Sequence, residues 1–140
     1  FALKYGSGIM IPWLSARREA RDRIDHFKIV GSPESRVESL SGGNQQRLLL
    51  ALMPSLSRIL LLEHPTRGLD AESVNWVWEQ LMLLLNKGAS IIFSTAELEE
   101  ILQVAHRVLV FYEGKIVRDL KTCDTNLEEL GMLIAGKASA

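Results

Sequence analysis

The sequence has one cysteine and almost no net charge, and each of these features excludes some classes of protein. Cys123 has no second thiol to pair with, so an internal disulfide framework is excluded and a reducing compartment is favoured. The 16 basic and 17 acidic side chains leave a formal net charge of −1. Bulk electrostatics therefore give no reason to expect a nucleic acid or an anionic membrane surface as partner.

Long apolar segments are absent as well. The longest apolar runs, residues 48–53 and 81–85, fall far short of the ~20 residues that cross a bilayer. The first residues also lack the basic-then-apolar order of a secretory signal. Since the chain starts at Phe1 rather than Met, we expect it to be a segment of a longer protein. If it works at a membrane, the lack of a spanning run implies that it does so through a partner.

Hydrophobic periodicity and turn residues predict an α/β fold. Helices are predicted from Ser15 to about Ile24, Ser41 to about Met53, Ala71 to Asn86, and at 97–105 and 126–135. Gly31 should break the chain after the first helix, and Pro54 should stop the second. Strands are predicted at 59–62, 89–95, 108–112 and 115–117, the first two buried on both faces. Asp70 should cap the long helix and Gly88 should end it. The order strand, long helix, strand indicates a βαβ unit and hence a mainly parallel sheet with flanking helices.

Residues 40–47, which read LSGGNQQR, carry the functional signal. A serine and two glycines at a helix start expose backbone N–H groups with no side chains in the way. The helix dipole adds partial positive charge there, and the Ser41 hydroxyl adds a donor. Such a helix start suits a phosphate, although a bare Ser-Gly-Gly run is better explained as a cap and a turn.

This run is followed in the sequence by further motifs that resemble those of the same family. It resembles the signature motif of the ATP-binding cassette (ABC) ATPases, and residues 58–70 (RILLLEHPTRGLD) resemble the Walker B strand and D-loop that follow it in that family. Residues 97–100 and 107–116 resemble the family's switch region and final hairpin. The Asn-Gln-Gln form of the signature is similar to that of the importers for simple sugars and nucleosides.

The resemblance implies a partial P-loop NTPase-like fold. Residues 1–53 would be part of the helical subdomain that ends in the signature helix, and residues 54–140 the C-terminal part of the catalytic core. It further implies an ATP-binding subunit of an importer that uses ATP and Mg²⁺ in a dimer. Its partners would be a second cassette and transmembrane permease subunits, and its place would be cytoplasmic, at the inner face of the cell membrane.

The chain has no phosphate-gripping P-loop of its own. The pattern Gly-x-x-x-x-Gly-Lys-[Ser/Thr] occurs nowhere in the sequence, and Gly114-Lys115 is followed by Ile116. Alone, the chain is therefore expected to bind ATP weakly or not at all.

Three positions that would surround a γ-phosphate depart from the family pattern. Glu63 stands where the family has a magnesium-associated Asp, which puts a water-mediated Mg²⁺ contact in doubt, and His64 stands where it has the catalytic Glu. Ala96 stands at the place of the switch His, and a methyl group makes no such contact. A glutamate base is anionic at neutral pH, whereas an imidazole is mostly neutral. We expect the chain's own nucleotide site to be degenerate.

The signature itself is retained, and ABC cassettes work as head-to-tail dimers. The residues that the resemblance assigns to ATP held by the partner cassette are Ser41, Gly42, Gly43, Asn44 and Gln45. Asp70 would help to position the partner's attacking water. Two alternatives stay open: a non-catalytic regulatory or dimerisation cassette, and the ATPase lobe of a chromosome-maintenance or DNA-repair protein. No heptad run of the kind that borders such lobes is present in the sequence.

Two expectations concern packing. Buried-type strands without neighbours promote association, so the fragment is expected to self-associate. Trp76 and Trp78 are expected to pack against other side chains rather than to stack on bases.

Overall fold

The computed structural model of the chain describes residues 12–53 and 57–137. It divides into two compact units, the first ending at Phe93 and the second beginning at Ser94. In the first unit the elements are α1 (Trp13–His26), α2 (Gly42–Leu52), β1 (Ile59–Glu63), α3 (Ala71–Asn86) and β2 (Ser90–Ser94). In the second they are α4 (Leu98–Val104), β3 (Arg107–Tyr112), β4 (Lys115–Lys121) and α5 (Leu127–Ile134).

Helix α3 has the bounds that its end signals predict. Asp70 accepts a hydrogen bond from the backbone N–H of Ser73 at the start, and Gly88 follows the helix with a φ of +90°, a conformation that glycine adopts without strain. Val77 and Leu81 are fully buried. Trp78 lies edge-on to Phe93 of β2, with the ring centroids 4.8 Å apart, so its predicted packing role is confirmed.

Strands β1 and β2 pair in a two-stranded sheet and are joined through α3, the helical crossover that parallel strands require. The prediction that both faces are buried is wrong. Leu60 is 6% exposed, but its neighbours Ile59 and Leu61 are 64% and 74% exposed, and Ile92 of β2 is 61% exposed. Successive side chains of a strand point to opposite faces, so one face of this sheet is packed and the other is bare.

The first two helices differ in how well their starts were predicted. The prediction that Ser15 opens α1 is wrong: the helix begins at Trp13, directly after Pro12, whose φ of −76° suits the position before a first turn. It ends at His26, earlier than Gly31, because Lys28 turns the chain with a φ of +51°. Helix α2 is confirmed, with Ser41 at its N-cap. Pro54, the predicted stop signal, lies outside the described residues.

The second unit is an antiparallel hairpin with two helices. Strands β3 and β4 pair from Arg107 opposite Lys121 to Tyr112 opposite Lys115, so β4 runs four residues beyond its predicted end at residue 117. The turn between them places Glu113 and Gly114 at φ values of +47° and +76°. The buried core of the second unit consists of Val110, Leu130 and Leu133. The partly buried apolar residues packed against it are Leu98, Leu102, Val108, Val117 and Leu120.

The predicted division into two subdomains, residues 1–53 and 54–140, stays a prediction. In the part of the chain that the structure describes, no helix is both long enough and apolar enough to span a membrane.

Candidate functional site

The start of α2 presents hydrogen-bond donors. Ser41 Oγ accepts from the backbone N–H of Asn44 at 3.4 Å and from Asn44 Nδ2 at 2.8 Å. Because the oxygen is the acceptor in both bonds, its own proton remains available to a ligand. Ser41 and Gly42 are exposed. No described residue accepts a hydrogen bond from the N–H of Gly42 or Gly43.

The electrostatics of this helix start favour an anion. Helix α2 has eleven residues and no acidic side chain in its first turn. The partial positive charge of the dipole is therefore not neutralised from within the helix. Unpaired N–H groups, a dipole end and a hydroxyl donor together match the chemistry of a phosphate.

Asn44 and Gln45 hold the loop that leads into this helix. Asn44 Oδ1 accepts from the N–H of Val30 at 2.7 Å. Gln45 Nε2 donates to the carbonyl oxygens of Val37 at 3.2 Å and Leu40 at 3.0 Å. The structure thus gives both amides a scaffolding role inside the chain. Their predicted contact with nucleotide stays a prediction.

The end of β1 and the loop after it carry Glu63 and His64, which the sequence predicts to be altered catalytic positions. Glu63 is exposed at the end of the strand, and His64 is half-buried with a φ of +46°, in the left-handed region that costs a non-glycine residue free energy. The loop is closed by two backbone bonds of 3.2 Å, from Arg67 N–H to the His64 carbonyl and from Leu69 N–H to the Thr66 carbonyl. These bonds fix the backbone that carries His64.

Asp70 ends this loop and caps α3. Its Oδ1 accepts from the N–H of Ser73 at 2.9 Å, and its Oδ2 accepts from Ser73 Oγ at 3.0 Å. These hydrogen bonds, that from the Ser73 backbone first, lower the pKa of the Asp70 carboxyl from its ordinary value. Asp70 is therefore an oriented carboxylate at neutral pH.

Ser73 is the residue that sequence reasoning missed. It lies three positions after the cap, where an N-cap side chain receives its backbone hydrogen bond, so the spacing of Asp70 and Ser73 was the available signal. A Cβ built on Gly43 would lie 2.7 Å from Ser73 Oγ, and one built on Gly42 would lie 4.0 Å from Leu69 Cδ2. The structure thus places the start of α2 beside the start of α3, although they are far apart in sequence.

The remaining predicted positions are less informative. Ala96 belongs to the second unit, where it is exposed just before α4; Thr95 Oγ1 beside it accepts from the N–H of Glu97 at 3.1 Å. Among the described residues, no group of three or more His, Cys, Asp or Glu side chains is placed to hold a metal ion. Mg²⁺ in nucleotide sites takes one or two carboxylates together with phosphate oxygens, so Glu63 fits as one ligand at most.

Comparison with curated proteins finds ATP-binding proteins of solute importers. The chain is 38% identical to a ribose import ATP-binding protein of Rhizobium etli over 80% of the chain and 23% of that protein. It is 36% identical to a xylose import ATP-binding protein of Moorella thermoacetica over 92% of the chain and 26% of that protein. It is 31% identical to a nucleoside import ATP-binding protein of Lactococcus lactis, over 95% and 26%. The chain thus spans about a quarter of the length of these relatives.

Comparison with solved structures supports the fold. An ATP-binding subunit of an ABC transporter superposes with a TM-score of 0.71 at 19% identity, over 96% of this chain and 58% of that one. A dimeric bacterial ABC transporter cassette superposes with a TM-score of 0.63 at 23% identity, over 82% and 50%. No protein-family profile matches the chain. The predicted α/β cassette fold is confirmed by these neighbours.

Proposed function

Since the chain belongs to the ABC ATPases, as a segment of one cassette, we propose that it supplies the signature motif that completes the ATP site of a partner cassette in a solute importer. The observation that carries this proposal is the start of α2. There the Ser41 hydroxyl and the N–H groups of Gly42 and Gly43 offer donors at a helix dipole end that no acidic side chain of the first turn neutralises.

The signature residues contact an ATP molecule that the partner cassette binds. Ser41, Gly42 and Gly43 donate hydrogen bonds to its γ-phosphate oxygens, where charge develops during phosphoryl transfer. Asp70, ionised and oriented by Ser73, helps to place the partner's attacking water. Mg²⁺ neutralises phosphate charge when it is bound with ATP. In this arrangement neither Glu63 nor His64 has a catalytic role.

The chain's own nucleotide side has little hydrolytic capacity under this proposal. Glu63 is one methylene longer than the Asp of the family, and displacements of about 1 Å cost about 100-fold in rate. His64 presents an imidazole in place of an anionic base, on a backbone held at φ +46°. Any Mg²⁺ contact of Glu63, through water, would be structural.

The relatives support the physiological setting. They are named for the import of ribose, xylose and nucleosides. We therefore assign the intact protein to the uptake of a simple sugar or a nucleoside, with transmembrane permease subunits and a second cassette as partners, at the cytoplasmic face of the cell membrane. These names do not favour a chromosome-maintenance or DNA-repair lobe, and a DNA gel shift by the intact protein would revive that alternative.

The direct test is a pair of substitutions in the intact protein. Ser41→Arg places a long side chain at the helix start, and we expect a loss of ATPase activity of about 100-fold or more because the partner's site loses its donors. His64→Ala should leave the rate almost unchanged. Equal losses from both changes would contradict the proposal. An intact protein with no ATPase activity would instead favour the non-catalytic dimerisation cassette, which the substitutions at Glu63, His64 and Ala96 suggest.

Calorimetry of ATP binding gives a second test. The fragment alone should show little binding, because its sequence lacks a P-loop. Adding a cassette that has a P-loop should tighten ATP binding by that cassette, and Ser41→Arg in the fragment should remove the gain. Micromolar binding by the fragment alone would show that it binds the ATP phosphates through residues other than a P-loop.

A further inference from the structure

The starts of α2 and α3 touch through one hydroxyl group. A Cβ on Gly43 would lie 2.7 Å from Ser73 Oγ and 3.5 Å from Ser73 Cβ. Ser73 is only 9% exposed, and its hydroxyl donates to Asp70 Oδ2 at 3.0 Å. The hydroxyl cannot swing away from Gly43 without breaking that bond. Gly43, Ser73 and Asp70 therefore form one continuous contact.

A glycine at position 43 could serve either packing inside the chain or access of a phosphate to the backbone N–H, and the direction of this contact indicates packing. A Cβ added there would point at Ser73, which is a residue of the same chain. The glycine is therefore required by packing inside the chain, whatever its N–H does toward a phosphate. An added Cβ would force either the Ser73 hydroxyl or the helix start to shift.

We propose that Ser73 is a positioning residue, which sets the distance between the signature backbone and the Asp70 carboxylate so that both reach the partner's ATP together. This inference rests on the proposed function. Ser73 itself touches no ATP: it acts through Gly43 on one side and through Asp70 on the other. Alanine would lose the hydroxyl bond to Asp70 Oδ2 and would keep the backbone bond to Oδ1.

A merely space-filling role would need only the volume of the side chain. The paired hydrogen bonds of Ser73 instead orient both carboxylate oxygens of Asp70, one from the backbone and one from the hydroxyl. The lowered pKa of Asp70 agrees with this arrangement. The hydroxyl thus has a directional function that a methyl group does not supply.

The test is a double-mutant cycle in the intact protein with its partner cassette, measuring ATPase rates per bound ATP so that misfolded protein is not counted. We expect Ser73→Ala alone to lower kcat about tenfold with KM for ATP little changed, the effect of one lost hydrogen bond to a charged group. Gly43→Ala alone should cost about 100-fold, because its Cβ displaces the helix start. Asn75→Ala, an exposed change two residues further along α3, is the matched control and should leave the rate unchanged.

The decisive result is the combination of the two. Gly43→Ala added to Ser73→Ala should cost about tenfold or less, because the obstructing oxygen is gone. Equal costs of Gly43→Ala in both backgrounds, or a wild-type rate for Ser73→Ala, would overturn the positioning role. Ser41→Arg distinguishes failure of the proposed signature role from failure of the positioning role of Ser73. If it abolishes activity while the cycle is additive, the signature role stands without the positioning role; if it leaves activity intact, both fall.

Discussion

The backbone N–H of Val30 donates to Asn44 Oδ1 over 2.7 Å, so a residue of the signature helix holds the loop that leads into it. The same amide donates through Nδ2 to Ser41 Oγ at 2.8 Å. Asn44 therefore links the loop, the N-cap and the first turn of α2. A side chain at this position affects the signature through geometry, before any contact with nucleotide is considered.

Removal of this link should loosen the loop. Asn44→Ala leaves the Val30 amide without its acceptor, and we expect its hydrogen exchange in the intact protein to quicken about fivefold, the effect of about 1 kcal/mol of local stability. Asn44→Asp is the matched control because it keeps an acceptor for Val30. Equal exchange in the two variants would show that the bond does not hold the loop.

The Asp70 carboxyl should titrate below the ordinary range. The hydrogen bonds from Ser73 lower its folded-state pKa, so its contribution to stability is complete above the unfolded-state pKa and is lost as the pH falls through the folded value. Ser73→Ala should raise the pKa of Asp70 part of the way back, because the backbone bond remains. A carboxyl-carbon NMR titration measures this. An unchanged pKa in Ser73→Ala would show that the hydroxyl bond is not formed.

A cation–π contact ties α2 to α3. The Arg47 guanidinium lies 4.2 Å from the Trp76 ring centroid, and Arg47 Nη1 donates to the Phe27 carbonyl at 3.4 Å. Arg47→Met keeps the stem but removes the charge, and we expect it to lower the free energy of unfolding by about 1 kcal/mol. Trp76→Ala should lower it more, since the Phe27 ring, 6.2 Å from Trp76, also loses its neighbour. Urea unfolding compares them, and equal effects would contradict the assignment.

The bare face of the β1–β2 sheet should cause self-association of the fragment. Ile59, Leu61 and Ile92 are exposed apolar side chains of this sheet, and soluble proteins seldom leave apolar sheet faces uncovered. We expect light scattering to show a mass that rises with concentration, and Leu61→Lys with Ile92→Lys to reduce it. Leu49→Lys, which alters a leucine 59% exposed on α2, is the control. A concentration-independent monomer would rule out association through this face.

End signals in the sequence predicted α3 well, because Asp70 and Gly88 act locally: each satisfies or redirects the backbone beside it. The same local logic identified Ser41 as the N-cap of α2. It failed for Ser15, because the helix already begins after Pro12, three residues earlier. Capping residues are thus reliable only where no competing signal precedes them.

Features that depend on distant parts of the chain escaped sequence reasoning. An apolar run such as residues 59–62 shows that a strand suits burial, but not whether anything covers each face; Leu61 is 74% exposed. Ser73 escaped for a similar reason, since its contact with Gly43 joins positions thirty residues apart. The signature and Asp70 were found by motif, whereas the hydroxyl between them became visible only when the two helix starts were placed together.

The hairpin turn of the second unit offers a practical site for protein engineering. Glu113 and Gly114 are exposed, and a Cβ on Gly114 would meet nothing within 4 Å. An epitope tag or a fluorophore-binding peptide inserted between them would leave the strands on either side paired. Because both positions have positive φ, the insert should be flanked by glycine or asparagine, which adopt that conformation at least cost. A reporter placed there would follow the second unit.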